Sequence, residues 1–128
     1  MVDRVRIGFI GAGGIARHHM RQLAEIPEAQ VVALAEPSEA AVAQMMATFP
    51  GLAKVPVFSD YRDMLAQVEL DAVEIHSPHT LHFQQALDVL QTGKHLLLEK
   101  PMVCTVPHAR ALIEAGKGKV FMISYQRH

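Results

Sequence analysis

The stretch that decides the fold of this chain is Ile7-Gly8-Phe9-Ile10-Gly11-Ala12-Gly13-Gly14-Ile15-Ala16. An apolar strand pattern runs into a glycine turn, and the turn leads into a helical pattern. Gly11, Gly13 and Ala16 match the G-x-G-x-x-G/A pattern, in which the first glycine permits a tight turn and the second lets the backbone approach a pyrophosphate. The helix start presents free N–H groups, so residues 11–16, including Gly14 and Ile15, are predicted to bind phosphate. Glycine turns also close ordinary strand–helix units.

Length and composition limit what the molecule can be. The 128 residues fit one domain, spanning 1–128, and half of them are hydrophobic. The net charge of -1, from 12 basic and 13 acidic residues, gives no basic surface for nucleic acid or an anionic membrane. The single cysteine, Cys104, cannot form an internal disulfide, so a reducing compartment, the cytoplasm, is expected. We expect no signal peptide and no membrane span.

Six short apolar runs alternate with longer helical patterns along the chain. The predicted strands are residues 5–10, 31–35, 55–58, 72–75, 95–98 and 120–124. Continuously apolar strands are typical of a parallel sheet that is covered by helices on both faces. We therefore predict an α/β fold with a Rossmann-type, doubly wound parallel sheet in the strand order 3-2-1-4-5-6.

Three helices are predicted from apolar residues at helical spacing. Their stripes are Ile15, His19, Leu23 and Ile26; then Ala41, Val42, Met45 and Thr48; then Leu81, Gln85, Ala86, Val89 and Leu90. Ser38 is a predicted N-cap of the second helix, and Gly93 a predicted C-terminal cap of the third.

Distinctive polar residues follow five of the six predicted strands. They are 11–16, Glu36, 77–79, 99–101 and 126–128. Because open parallel sheets bind ligands in the crevice outside the carboxyl ends of their strands, these positions predict one site. The third strand, which ends at Ser59-Asp60, offers nothing distinctive.

Glu36 ends the second predicted strand, about 20 residues beyond the glycine turn. A carboxylate at this place accepts hydrogen bonds from the hydroxyls of an adenosine ribose. No basic residue follows in 37–39, so the sequence favours NAD over NADP as the cofactor. The alternative is that Glu36 helps to cap the helix that begins near Ser38.

Glu99 and Lys100 put a carboxylate beside an amine at the mouth of a buried strand, and Pro101 stops that strand. Charges there are costly unless they are solvated, paired or used in function. An amine in a cleft is a functional candidate, but an ordinary salt bridge at the strand end explains the pair equally well.

The spacing of His76, His79 and His82 raises the question of a metal site. They are predicted to lie on a strand, a turn and a helix, so they share no face, and no carboxylate is arranged to join them. No metal is therefore expected. Of His18 and His19, one is expected to pack inward and the other to face solvent.

Four motifs in order resemble the Gfo/Idh/MocA oxidoreductase family: the turn 11–16, Glu36, the run 77–82, and 93–95 leading to 99–101. The resemblance covers essentially the whole chain. It implies NAD(P)-dependent redox chemistry at a hydroxyl or carbonyl carbon of a sugar, polyol or related substrate. Residues 11–16 would hold the pyrophosphate and Glu36 the ribose.

The resemblance also implies roles for residues later in the chain. Ser77, Pro78 and His82 would line the cofactor cleft, and Glu99 and Lys100 would lie beside the nicotinamide ribose, with Lys100 closest to the chemistry. Two more positions complete the cofactor-binding set: His79, where relatives commonly carry asparagine, and Gln126, after the sixth strand.

Members of the family continue into a larger α+β domain that supplies the substrate pocket, most oligomer contacts and further proton-transfer residues. We expect this second domain to be missing from the chain, which would then bind cofactor without turnover. The full-length form is expected to be a homo-oligomer. The alternative is a non-catalytic NAD-binding sensor or regulatory module.

Overall fold

One parallel sheet organises the molecule, whose computed structural model describes residues 4–99 and 106–124. The strands are β1 (Val5–Ile10), β2 (Ala29–Ala35), β3 (Val57–Phe58), β4 (Ala72–Ile75), β5 (His95–Glu99) and β6 (Phe121–Ser124). They lie in the order β3-β2-β1-β4-β5-β6, and every neighbouring pair is parallel. The predicted fold class and strand order are confirmed.

Helices connect the strands. They are α1 (Gly14–Leu23), α2 (Glu39–Thr48), α3 (Tyr61–Gln67), α4 (His82–Gln91) and α5 (Val106–Ala115), with short 3₁₀ turns at Pro50–Leu52 and His79–Leu81. The three predicted helices are confirmed as α1, α2 and α4, whereas no stripe predicted α3 or α5. Within the described residues, no helix has the length and apolar character needed to cross a membrane.

Local capping explains where several helices begin and end. The Ser38 hydroxyl accepts the N–H of Ala41 at 3.2 Å, which confirms the predicted N-cap of α2. Asp60 caps α3 in the same way by accepting the N–H of Arg62 at 2.9 Å. After α4, Gly93 adopts φ +82°, a conformation that favours glycine and ends the helix as predicted.

The core lies on both faces of the sheet because side chains alternate along each strand. Phe9 of β1 packs with Met20 of α1 and Met45 of α2 on one face. Ile10 joins the other cluster, with residues of α3, α4 and α5 that include Met64, Val89 and Leu112. The sheet is therefore the middle layer of three, and its carboxyl edge stays open.

Some predicted boundaries were wrong by one to three residues. The chain leaves α1 after Leu23, and Ile26 is 45% exposed in the turn that follows. Val55 donates its N–H to Leu52 in another turn, so β3 begins at Val57 rather than at residue 55. Leu81, 49% exposed, precedes α4 instead of joining its buried face. In each case the residue donates its N–H to a carbonyl three residues earlier in a local turn, and it does not join the predicted helix or strand.

Gly11 allows two backbone segments to meet at the open edge. It adopts φ +103°, and a Cβ placed on it would lie 2.7 Å from the carbonyl carbon of His76. The Gly11 N–H donates to Ala35 at 2.9 Å, and the His76 N–H donates to Ile10 at 2.7 Å. The ends of β1, β2 and β4 are thereby held together.

We expect Gly11→Ala to lower the free energy of unfolding by about 2 kcal/mol or more, because it combines backbone strain with a steric clash. Gly93→Ala, where φ is also positive but a Cβ meets no atom within 4 Å, should cost about 1 to 2 kcal/mol through strain alone. Denaturant titrations of both variants measure the two losses in the free energy of unfolding. If Gly11→Ala were no less stable than Gly93→Ala, the close approach would not restrict this position.

Candidate functional site

A cleft of about 560 Å³ opens at the carboxyl edge of the sheet, where β1, β2, β3 and β4 end. Four predicted site residues line it: Gly11, Glu36, Ser77 and Pro78. The remaining lining residues are Ile10, Ala35, Pro37, Ser59, Asp60, Tyr61, Arg62, Leu81, Gln84 and Gln85. The position agrees with the crevice that the strand order creates in a doubly wound sheet.

The glycine turn leads to an uncapped helix start beside the cleft. Gly13 is the N-cap of α1 in an extended conformation, it has no side chain to cap the helix, and the first turn contains no acidic residue. The first N–H groups of a helix have no acceptor inside it, and they carry a partial positive charge. Gly14, Ile15 and Ala16 form this first turn, with Ala16 fully buried. The arrangement can bind an anionic group.

Open space surrounds Gly13. A Cβ placed there would meet no atom within 4 Å, in contrast to Gly11. Packing within the described residues therefore does not require glycine at this position. The space is available to a ligand that approaches the backbone closely, and this is the function that the glycine pattern predicts.

Glu36 joins two turns at the edge of the cleft. Its Oε1 accepts the N–H of Ala12 at 3.0 Å, and its Oε2 accepts the N–H of Ser38 at 2.9 Å. Glu36 therefore does contact the start of α2, as the alternative interpretation of this residue as a helix cap predicts. Each carboxylate oxygen can accept a second hydrogen bond, so these contacts leave acceptor capacity for a ligand.

The Ser77–Pro78 turn is held from behind by α4. His82 is only 1% exposed, and its Nε2 donates to the Ser77 carbonyl at 2.6 Å. The Ser77 hydroxyl donates to the side-chain oxygen of Gln85. His82 is therefore not among the residues that line the cleft, and its observed contact positions the turn that does.

The segment after β3 also lines the cleft. The expectation that the end of the third strand offers nothing distinctive was wrong. The Tyr61 hydroxyl donates to Asp88 on α4. Burial, together with the hydrogen bond to Asp88, raises the pKa of Tyr61 to about 12, so the phenol keeps its proton at neutral pH. The Arg62 guanidinium lies 5.1 Å from the centre of the Tyr61 ring. Both residues follow the end of a parallel strand. The same criterion predicted the polar residues after the other strands, and it could have identified these two as well.

Four predicted site residues lie partly or wholly outside what the structure describes. His79 begins a 3₁₀ turn and Glu99 ends β5, but their side chains are outside the described part of the chain. Lys100 and Gln126 lie entirely outside the described residues. Their predicted roles therefore stay predictions.

Comparison with known proteins agrees with the fold and the turn. The model of the Gfo/Idh/MocA family, described as an oxidoreductase family with an NAD-binding Rossmann fold, matches residues 5–125. The chain belongs to the Gfo/Idh/MocA oxidoreductase family. The resemblance found in the sequence is thereby confirmed, and the cleft lies on the NAD-binding Rossmann domain of this family.

Several family members are similar over most of this chain. The D-xylose 1-dehydrogenase (NADP(+)) of Hypocrea jecorina is 29% identical over 121 residues, which cover 88% of this chain and 31% of the relative. The WlbA dehydrogenase of Bordetella pertussis, in complex with NADH and UDP-GlcNAcA, has a TM-score of 0.84 and 28% identity over 94% of this chain and 37% of that protein. An apo scyllo-inositol dehydrogenase of Lactobacillus casei has a TM-score of 0.85 and 26% identity, and the match covers 96% of this chain and 37% of that protein.

This chain is short beside its relatives. It spans between 27 and 37% of the length of the first curated Gfo/Idh/MocA relatives that it matches. The match therefore concerns their cofactor-binding part.

Proposed function

We propose that this chain is the cofactor-binding domain of an NAD-dependent dehydrogenase that acts on the CH–OH or C=O group of a sugar, polyol or related substrate. The open space at Gly13, over the uncapped start of α1, is the observation that carries the cofactor assignment. The substrate class rests on the relatives, which include a xylose dehydrogenase and an inositol dehydrogenase. These names favour an enzyme over a sensor.

The pyrophosphate would bind to backbone N–H groups at Gly13, Gly14 and Ile15. Backbone donors suit this task because they are fixed by the helix and need no reorganisation when the anion binds. Arg17 adds a cation beside the same turn, where its Nη1 lies 3.4 Å from the Ala12 carbonyl oxygen. The turn therefore offers both a helix N-terminus and a guanidinium to two phosphates.

The adenosine would occupy the cleft beside Glu36, whose free acceptor capacity faces ribose hydroxyls. A 2′-phosphate on that ribose would meet the Glu36 charge. Arg62 is the cation that lines the cleft, but it lies 3.9 Å from an Asp60 oxygen and 3.8 Å from an Asp88 oxygen. Because two carboxylates already balance Arg62, NAD is favoured over NADP.

When bound, the nicotinamide group would supply or accept the hydride. The protein must orient the substrate and move the hydroxyl proton that accompanies the hydride. Glu99 ends β5, and β5 pairs with β4. Lys100 is the next residue in the sequence, and we assign it the proton at the substrate oxygen. Glu99, His79 and Gln126 are proposed to line the cofactor side of the same edge.

The assignment of the turn is tested by Gly13→Val. The β-region backbone at Gly13 tolerates valine, and the added side chain meets open space, so the variant should fold with a cost of about 1 kcal/mol at the N-cap. The side chain would occupy the place of the pyrophosphate, and NADH affinity should fall about 100-fold or more. A fluorescence titration with NADH measures this affinity.

Gly51→Val is the matched control, because a Cβ at Gly51 also meets no atom within 4 Å and Gly51 does not line the cleft. Its NADH affinity should equal that of the parent. Near-parent affinity in folded Gly13→Val would place the cofactor elsewhere and remove the proposed role of the turn.

Cofactor preference is tested at Glu36. The parent should bind NADH more tightly than NADPH by about 1 to 3 kcal/mol, the scale of an unmet buried polar group. Glu36→Gln removes the charge while keeping one acceptor oxygen, so the difference between the two cofactors should shrink. Glu39→Gln, a charge removal in the first turn of α2, should leave the difference unchanged. Equal affinities in the parent would refute the assignment of Glu36.

The role of Lys100 is tested in a protein that includes the substrate-binding part. Lys100→Met should reduce turnover by about 100-fold or more, the usual scale for losing a general acid–base group. NADH affinity should stay within several-fold of the parent. Lys94→Met, at the opposite end of β5, should retain parent turnover. Near-parent turnover in Lys100→Met would exclude Lys100 from proton transfer.

A further inference from the structure

A cluster of two histidines and one glutamate lies behind the glycine turn, on the face of the sheet that α1 covers. Glu74 lies inside β4, His76 directly follows that strand, and His19 belongs to α1. Glu74 is 6% exposed, His19 is 7% exposed and the His76 side chain is fully covered. Neither the proposed cofactor site nor the family match assigns a role to these three side chains.

Strand and helix periodicity bring the cluster together. Glu74 and His76 are two residues apart in extended chain, so their side chains point to the same face. Phe9 of β1 points to this face as well, and its ring centre lies 5.2 Å from that of His76. The helix α1 packs on the same face, and the rings of His19 and His76 are 4.5 Å apart between centres. The cluster thus joins α1 to the end of β4.

The distances within the cluster fit the spacing of metal ligands. Glu74 Oε1 lies 3.1 Å from His19 Nδ1 and 3.1 Å from His76 Nε2. One ligand atom from each of the three residues lies within 4.8 Å of the other two. Ligand atoms at about 2.0 to 2.2 Å from a tetrahedral zinc ion are about 3.3 to 3.6 Å apart. Movements of a few tenths of an ångström would therefore bring Glu74 Oε1 to ligand spacing from each imidazole nitrogen, and the two imidazoles would close on the ion from within 4.8 Å of each other.

Glu74 is a buried acidic side chain, and its charged form needs a compensating partner. An isolated buried carboxylate is costly unless it is paired or coordinates a metal. In the described part of the chain, the ion-pair partners found for Glu74 are the imidazoles of His19 and His76. The carboxyl group is compensated either by a proton held within the cluster or by a cation bound between the three groups.

We propose that His19, Glu74 and His76 bind one divalent transition metal ion of the zinc class. Two imidazole nitrogens and one carboxylate oxygen form a ligand set that suits zinc and neighbouring first-row metals, and not calcium or magnesium. The ion cross-links α1 to β4 directly behind the phosphate-binding turn. This proposal departs from the expectation of no metal, which weighed His76, His79 and His82. Only His76 belongs to both sets, and His82 instead donates to the Ser77 carbonyl. The expectation that no carboxylate joins these histidines was wrong, because Glu74 lies beside His76.

Metal titrations of the 128-residue chain test the proposal. After treatment with a chelator and dialysis, the chain is titrated with Co²⁺ by visible absorption and with Zn²⁺ by calorimetry. With a water molecule as the fourth ligand, we expect one ion per chain, an intense four-coordinate Co²⁺ spectrum that Zn²⁺ abolishes, and a higher midpoint of thermal unfolding with metal. Glu74→Gln and His76→Gln should each weaken binding by about 100-fold or more.

His18→Gln is the matched control, because it removes an exposed imidazole from the same helix next to His19. Its metal affinity and Co²⁺ spectrum should equal those of the parent. Circular dichroism reports the fold of each variant. Should Glu74→Gln fail to fold, the Co²⁺ spectrum of His76→Gln, compared with those of the parent and of His18→Gln, still decides the question.

Three results would overturn the proposal. One is the absence of Co²⁺ and Zn²⁺ binding to the parent, which would show that a shared proton balances Glu74. Another is unchanged binding in folded Glu74→Gln and His76→Gln. The last is a weak, six-coordinate Co²⁺ spectrum in the parent, which would indicate binding at surface histidines.

Discussion

Gly11 brings the end of β1 against the backbone of His76 and Ser77 more closely than any side chain would permit. Two hydrogen bonds fix this approach, from Gly11 to Ala35 and from His76 to Ile10. Three strands therefore end at one level, and the turns that follow them face a common cleft. The glycine turn, the Glu36 carboxylate and the Ser77–Pro78 segment are neighbours because of this single close approach.

Different chemical groups form the two ends of the cleft. At the proposed phosphate end, backbone N–H groups and the open space at Gly13 form the binding surface. At the proposed adenosine end, side chains form it, and their positions depend on partners in α4. Tyr61 is held by Asp88, and Ser77 by Gln85. The first end is set by local backbone geometry and the second by tertiary packing, so substitutions in α4 can alter the second without touching the first.

Periodicity and the glycine spacing predicted the strands, their order and the turn because these features depend on short segments of sequence. The contacts of Glu36 with Ala12, and of His19 with Glu74, join residues 24 and 55 positions apart. No local pattern reveals such partners. The sequence indicated that one of His18 and His19 is buried, but the choice of His19 follows from the packing of α1 on β4. His82 was assigned to the cleft, whereas packing of α4 puts it behind the turn. A carboxylate between Val73 and Ile75 in an otherwise apolar strand was the signal for the buried cluster.

In the proposed cofactor site, Glu36 would link cofactor preference to the architecture of the cleft. Its two oxygens accept N–H groups from turns that belong to different strand–helix units. A small neutral residue is the simplest replacement that would admit an additional phosphate, but it would leave both N–H groups without this acceptor, at a cost of about 1 to 3 kcal/mol each if water did not replace it. Under the proposed role of Glu36, a lineage that descends from this sequence would change coenzyme at the least cost through coupled substitutions, with a new support for the part-buried turn at Ala12 arising before the acid is lost or together with its loss.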